Sequence, residues 1–148
     1  MTGGRRRAVA LAIAVLGATT AAVSTSPAQK DDDRSGDRPK LVLRAQPSIS
    51  TSPARVVFTA EILGGPDDFE EFYCAAVRWE WGDDTSSESS TDCPPYEAGK
   101  SSIRRRFTTD HVFRRAGSYR VMFQLKQRSR SVGTAVTNIQ VRSGPRDF

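Results

Sequence analysis

The feature that most constrains the fold is an alternation of apolar and polar residues that recurs from Leu41 to Val141. No long stretch places apolar residues at helical spacing. A period of two puts successive side chains on opposite faces of a strand, so each segment has one face to bury. The apolar faces are Leu41, Leu43 and Ala45; Val56, Phe58, Ala60 and Ile62; Val77, Trp79 and Trp81; Tyr119, Val121, Phe123 and Leu125; and Ala135, Thr137, Ile139 and Val141. We predict an all-β domain.

A further strand is predicted over residues 103–107, although Arg105 lies between two apolar residues there. The chain has 148 residues, of which 37% are hydrophobic, enough for one modest core and too few residues for a large enzyme scaffold. About seven short strands in roughly a hundred residues indicate a β-sandwich.

The N-terminus has the three parts of a secretory signal peptide: basic Arg5 to Arg7, an apolar run over 8–18, and small residues up to Ala28. The apolar run is shorter than the roughly 20 residues that cross a bilayer as a helix. We therefore predict cleavage after Ala28, with the sequence Ala22-Val23-Ser24 as the alternative site. No cysteine follows the run to carry a lipid anchor. The prediction is a protein that is secreted or held in the cell envelope.

The remaining chain divides by composition. Residues 29–40 contain no apolar side chain and are predicted to be a solvated linker that cannot fold alone. Residues 41–143 are predicted to form the domain, and residues 144–148 a short tail. No transmembrane span is expected after the signal is removed.

The two cysteines, Cys74 and Cys93, are predicted to form a disulfide, because thiols oxidise outside the cytosol. The two residues are equidistant from the turn at Asp83-Asp84, so a hairpin that reverses there sets them opposite each other. With a single histidine in the chain, a four-ligand zinc site at these cysteines is a poor alternative.

Two separated motifs then give a family resemblance. The run VRWEWGDDT over 77–85 and the run HVFRRAGSYRV over 111–121 resemble those of the PKD domain, an immunoglobulin-like extracellular module. The chain departs from the family pattern at Glu80, Trp81, Asp84 and Phe113, and by a long insertion over 86–102. The resemblance implies an immunoglobulin-like sandwich, contact with protein or polysaccharide, and no catalysis. A different immunoglobulin-like or fibronectin-like sandwich is the main rival.

The motif residues have structural interpretations. Trp79 is expected to fill the space between two sheets, and Gly82 to adopt a backbone angle that other residues resist. Gly117 and Tyr119 resemble a tyrosine corner, in which the phenol hydroxyl ties a loop to the strand that follows. The structural motif comprises Trp79, Trp81, Gly82, Asp83, His111, Gly117 and Tyr119.

Catalytic and metal sites are weighed against simpler interpretations. His111 is the only histidine, and the chain contains no nucleophile elbow, phosphate loop or paired-histidine motif. We therefore predict no enzyme activity and no cofactor. Asp83, Asp84 and Asp92 are calcium candidates because several carboxylates lie in one Ser/Thr-rich loop, but ordinary turn chemistry is the favoured interpretation.

Charge is unevenly divided along the chain. Residues 29–99 carry 7 basic and 15 acidic residues, whereas residues 100–148 carry 12 basic and 2 acidic residues. A candidate basic face includes Arg104, Arg106, Arg120 and Lys126, together with Arg114, Arg115, Arg128 and Arg130. Such a face would bind a polyanion, but pairing between strands of the two halves would neutralise it.

We therefore hypothesise a non-catalytic module that contacts a protein or a carbohydrate. The alternatives are a binder of acidic polysaccharide or nucleic acid, and a structural spacer or assembly subunit. Nucleic acid is disfavoured because no aromatic side chains are interleaved among the arginines. No small-molecule substrate is expected.

Overall fold

The computed structural model describes residues 38–145, and these form two β-sheets packed face to face. The predicted signal segment, residues 29–37 of the predicted linker and residues 146–148 lie outside the described residues. Within residues 38–145 the only helical element is a 3-10 turn, Glu70–Phe72, and no helix there is long and apolar enough to cross a membrane. The predicted all-β sandwich is confirmed.

The described chain contains eight strands rather than about seven. They are β1 (Lys40–Gln46), β2 (Ile49–Thr51), β3 (Ala54–Leu63), β4 (Ala76–Glu80), β5 (Ser86–Ser89), β6 (Arg106–Phe113), β7 (Gly117–Gln127) and β8 (Arg130–Arg142). The two strands that the alternation did not reveal are β2 and β5, because three or four mostly exposed residues carry no apolar face to count.

The smaller sheet has the order β1-β3-β6, and all its pairs are antiparallel. The larger sheet has the order β2-β8-β7-β4-β5, in which β2 alone runs parallel to its neighbour. The long β7–β8 hairpin turns at Arg128, which has a positive φ of 56°. In these strand orders, β6 is one edge of the smaller sheet and β5 is one edge of the larger sheet.

The alternating apolar residues face inward between the sheets, as predicted. Phe58 on β3, Phe113 on β6, and Val121, Phe123 and Leu125 on β7 are completely buried. The inward residues of every long strand are partly or fully buried. The period of two therefore correctly predicted which face of each strand belongs to the core. The core joins both sheets into one cluster.

The predicted strand over 103–107 is wrong in its position. Strand β6 begins at Arg106 and continues to Phe113, through the segment that carries His111. Residues 103–105 are outside any strand: the Arg105 carbonyl still accepts from the Ile62 amide of β3, while the Arg105 side chain donates to the Ile62 carbonyl and to the carbonyls of Gly64 and Gly65 in the loop that follows β3. Residues before Leu41 also contact the domain: Arg38 pairs with Glu71 at 2.8 Å and donates to the Val132 carbonyl.

Candidate functional site

A concavity with polar walls lies between two strand edges, β5 of the larger sheet and β6 of the smaller sheet. This edge groove encloses about 470 Å³. Its polar walls carry hydroxyls and two charged groups, and its floor is formed by core aromatic rings. The walls include Ser87, Glu88, Ser89, Thr91, Arg104 and Thr108, and the floor includes Phe72, Trp79 and Phe107.

The connection between β5 and β6 forms part of the groove wall and is fastened to the chain that precedes β4. The Cys74–Cys93 disulfide anchors this connection beside the chain that enters β4, with a Cα–Cα distance of 6.0 Å. Tyr73 donates to the Pro94 carbonyl at 3.0 Å, and Tyr96 donates to the Asp68 carbonyl at 2.7 Å. These contacts tie residues 90–105 to the loop that precedes β4, and both segments contribute residues to the groove lining.

The predicted disulfide is confirmed, but its predicted register is off by one residue. In the β4–β5 pairing, Val77 lies opposite Ser89 and Glu80 opposite Ser86, so a partner for Cys74 in continuous register would be Asp92. The pairing ends at Val77, and the irregular chain beyond it brings Cys93 into reach. Cys74 has a positive φ of 52°, which accommodates this departure.

Arg105 holds the loop that follows β3. Its guanidinium donates to the carbonyls of Ile62, Gly64 and Gly65, at 3.2, 2.9 and 3.0 Å. The same group pairs with the Asp67 carboxylate at 2.7 Å. A guanidinium carries five donors in a fixed plane, so a single arginine can hold a whole loop. In the sequence this residue read only as an interruption of apolar alternation.

A stack of aromatic rings connects the two sheets near the groove. Trp79 stacks on Trp81 with ring centroids 5.5 Å apart, and Trp81 stacks on His111 at 4.5 Å. His111 meets Phe113 edge-on at 4.8 Å, and Phe113 packs against Tyr119 at 4.5 Å. Both sheets contribute rings, so the motif residues of the two separated runs pack as one unit.

Asp83 links the turn after β4 to His111 on β6. The Asp83 Oδ2 atom lies 2.8 Å from His111 Nε2, and the Thr85 hydroxyl and backbone amide donate to Asp83 Oδ1. Partial burial raises the pKa of Asp83, but the hydrogen bonds from Thr85 and His111 outweigh it and lower the pKa below the ordinary 3.8. The Asp83 side chain is 23% exposed and that of His111 is 20% exposed. This carboxylate therefore acts as a tie between the sheets.

The two motif glycines lie in close contacts. Gly82 has a φ of +80°, and a Cβ atom there would lie 2.7 Å from the Arg120 carbonyl oxygen. Such a distance is sterically forbidden without movement of the β7 backbone, so glycine is required at this turn. Gly117 lies against the ring of Tyr119, whose hydroxyl donates to the Arg115 carbonyl at 2.7 Å. This hydrogen bond is the link between a loop and the strand that follows it, as the resemblance to a tyrosine corner implied.

The candidate basic residues do not share one face, so the single basic face is a correction to the sequence analysis. Arg106 points outward from the smaller sheet, whereas Arg120 and Lys126 lie on β7 of the larger sheet. Arg106 pairs with Glu61 at 3.3 Å and Lys126 with Glu88 at 3.6 Å. The Arg104 guanidinium lies over the Phe107 ring at 4.9 Å. The remaining candidates are in connections or at their ends: Arg114 and Arg115 precede β7, Arg128 lies in the β7–β8 turn, and Arg130 begins β8.

The calcium candidates do not converge. Asp83 is engaged by Thr85 and His111, while Asp84 and Asp92 are exposed. Over residues 38–145 no group of three or more His, Cys, Asp or Glu side chains could hold a metal ion. Asp84 has a positive φ of 66°, which aspartate tolerates in turns.

Sequence reasoning missed the edge of β6, and with it Thr108 and Asp110. The signal that could have located this strand is the spacing of Phe107, Thr109, His111 and Phe113, an alternation with only two strongly apolar members. Tyr73 and Tyr96 were also missed, because their partners are backbone carbonyls distant in the sequence.

No family model matches the chain, and no curated protein matches it. Among solved structures, it is similar to the PKD domain of an M14-like peptidase from a Thermoplasmatales archaeon, at 13% identity and a TM-score of 0.49, over 72% of this chain and 98% of that one. It is also similar to a CARDB domain from Pyrococcus furiosus, solved with di-metal ions, at 11% identity and a TM-score of 0.44, over 73% and 97%. A superoxide reductase (neelaredoxin) from Ignicoccus hospitalis has 8% identity and a TM-score of 0.41, over 76% and 87%. A PKD domain is thus among the neighbours of this fold.

Proposed function

We propose that this domain is a non-catalytic contact module of an exported protein, and that it contacts a protein partner at the edge groove. The observation that carries the proposal is the open groove between two strand edges that belong to different sheets. Unpaired strand edges present backbone donors and acceptors, which are a template for pairing with another chain.

A protein partner is favoured over a carbohydrate because of the groove floor. Sugar rings are recognised by exposed aromatic faces combined with polar groups, but Trp79 is only 6% exposed and Phe107 only 9%. Core packing uses both rings, through contacts with Phe123 at 4.6 and 5.3 Å. What the groove offers a ligand is therefore mainly backbone and hydroxyl groups at its rims.

A polyanion partner is disfavoured by the distribution of charge. The basic residues are divided between opposite faces of the sandwich, and several of them are paired with carboxylates. Exposed ion pairs are weak individually, yet they cancel the net field that would attract a polyanion. Retention on an acidic polysaccharide that falls steeply with ionic strength would instead favour this alternative.

The absence of catalysis is supported by the surroundings of His111. Its ring is stacked on Trp81, and its Nε2 atom is hydrogen-bonded to Asp83. These contacts give the histidine a structural role between the two sheets. Export to an extracellular or envelope location is supported by the disulfide, since such bonds persist in oxidising compartments. Cleavage of residues 1–28 remains part of this proposal.

The test is site-specific photo-crosslinking in the native envelope. A photoreactive side chain replaces Thr108 at the groove rim, and a matched control replaces Thr134, which is exposed on the outer face of the larger sheet. We expect a discrete protein adduct at position 108 that excess unmodified protein competes away, and none at position 134. Equal adducts at the two positions, or an adduct sensitive to glycosidase and not to protease, would overturn the proposal.

A further inference from the structure

The edge of β6 that faces away from β3 presents backbone groups in a defined pattern. The Ile62 amide donates to the Arg105 carbonyl at 2.8 Å, and this pair continues the β3–β6 register. In an antiparallel pair, hydrogen-bonded and non-hydrogen-bonded positions alternate. Every second residue after Arg105 therefore bonds to β3, and the backbone groups of Thr108, Asp110 and Val112 point to the open edge.

Three of the usual protections of an edge strand, proline, lysine and a bulge, are missing from β6. Natural edges are blunted by proline, bulges, lysine, or a covering loop. The sequence RFTTDHVF over Arg106–Phe113 contains neither proline nor lysine, and its pairing with β3 has no register shift. The connection before it is held to residues 67–74 by the disulfide and by Tyr96.

The outward side chains of β6 are arranged symmetrically in charge about Thr108. Arg106 lies two residues before it and Asp110 two residues after it, with side chains 70% and 44% exposed. Each is already paired within its own sheet, Arg106 with Glu61 at 3.3 Å and Asp110 with Arg55 at 2.8 Å. A strand with opposite charges equidistant from its centre is complementary to an antiparallel copy of itself.

We propose that a second copy of this chain docks on β6, so that the two β6 strands pair antiparallel about a two-fold axis at Thr108. This inference rests on the proposed contact function and names its partner. In this register Thr108 meets Thr108, and each Arg106 meets Asp110 of the second copy; such isologous contacts are the commonest way in which protein dimers close.

The same register satisfies the backbone and the charges together. Arg106, Thr108 and Asp110 occupy the positions whose backbone groups face the open edge, so the facing residues exchange hydrogen bonds. At Arg106 the bond to the second copy replaces the one that Arg104 Nε now donates to the Arg106 carbonyl at 3.0 Å. Along one row of the joined sheet the charges then alternate, from Glu61 to Arg106 and on to Asp110 and Arg55 of the second copy. A register displaced by two residues toward the C-terminus would set Asp110 opposite itself, where like charges repel.

The test measures self-association of the mature protein by sedimentation equilibrium. Arg106→Glu and Asp110→Arg each place like charges opposite across the axis, and each is expected to raise the dimer dissociation constant about tenfold. The double variant restores opposite charges and is expected to return the dissociation constant to near the original value. The matched control, Arg120→Glu on the outer face of the larger sheet, is expected to leave it unchanged.

A second variant keeps the test independent of charge effects on folding. Thr108→Pro removes an amide that faces the open edge and makes no bond to β3, so the fold is retained, as circular dichroism would report, while dimerisation is lost. A protein that is monomeric at every concentration overturns the inference, and so does a dimer that the single charge reversals leave unchanged. If the protein is monomeric and position 108 still crosslinks to a different protein in the envelope, only the second copy as partner is rejected, and the contact function stands.

Discussion

The two sides of the sandwich end their sheets in different ways. On the closed side, β1 of the smaller sheet and β2 of the larger sheet belong to one continuous segment, joined by Pro47 and Ser48. The Ser48 carbonyl accepts from the Gln140 amide at 2.9 Å, and the Ser52 amide donates to the Arg142 carbonyl at 2.9 Å. One continuous segment of the chain thus forms an edge strand of each sheet.

On the open side, β5 and β6 also belong to different sheets, but the connection between them is long and is fastened to the chain before β4. The closed side carries Pro47 and Pro53 next to its short strand, whereas β6 carries none. Proline cannot donate to a β-ladder, so it discourages pairing with another chain. The proposed contact surface therefore lies on the side where packed side chains, and no short chain connection, join the two sheets.

The largest effect is expected from removal of the aromatic stack on the open side. Trp81→Ala deletes the ring between Trp79 and His111 and should lower the free energy of unfolding by about 3–5 kcal/mol. The control, Ile49→Ala, alters a half-exposed residue on the closed side and should change it by less than about 0.5 kcal/mol. Chemical denaturation measures the free energy of unfolding of both variants. Comparable losses in the two variants would contradict the asymmetry between the open and the closed side.

Loss of the disulfide should have the next largest effect. Cys74→Ser combined with Cys93→Ser removes a bridge of sequence separation 19, which is expected to lower the free energy of unfolding by about 3 kcal/mol. It should also allow residues 90–105 to move relative to the groove. Thermal unfolding with and without reductant measures the effect, and the double variant should be insensitive to reductant. An unchanged melting temperature on reduction of the native protein would contradict the proposed fastening.

These first two sites show what the sequence reveals and what it hides. Trp79 and Trp81 were predictable because a period of two places bulky side chains on one face of a strand. The disulfide followed from the oxidising compartment and an even cysteine count. Arg105 was not predictable as a loop anchor, since its partners are carbonyls of residues far away in the chain.

The edges are harder to predict than the core for a related reason. Strand β5 consists of Ser86–Ser89, all exposed, so no burial pattern marks it. The basic residues near and beyond β6 form one cluster in the sequence, but alternate strands carry them to opposite faces. A cluster of charged residues in the sequence therefore predicts a charged face of the domain only when the strand order is known.

A smaller effect is expected from loss of the hydrogen bonds that Asp83 accepts from Thr85 and shares with His111. Because its folded pKa lies below 3.8, the ionised carboxylate stabilises the protein above that pH, and the contribution is lost as the pH falls through the folded pKa. Asp83→Asn should lower the free energy of unfolding by about 1–2 kcal/mol at neutral pH. The difference from the native protein should shrink as the pH falls below 3.8. A constant difference down to strong acid would contradict this assignment.

The smallest effect is expected from loss of the hydrogen bond between the Tyr119 hydroxyl and the Arg115 carbonyl. Tyr119→Phe removes the hydroxyl that donates to the Arg115 carbonyl but keeps the ring against Phe113. The expected loss is about 1 kcal/mol, that of one hydrogen bond. Dimerisation should be unchanged, because the hydroxyl bonds within its own chain and not at the β6 edge. A loss of dimer at unchanged stability would extend the contact surface to this loop.

The most direct measurement of the central claim is amide hydrogen exchange followed over a wide range of protein concentration. The account predicts that exchange in β6 (Arg106–Phe113) slows as the concentration rises, because amides on its open edge become bonded to a second copy. Exchange in residues 40–51 on the closed side should stay constant. Constant exchange in β6, or slowing on the closed side instead, would contradict the account.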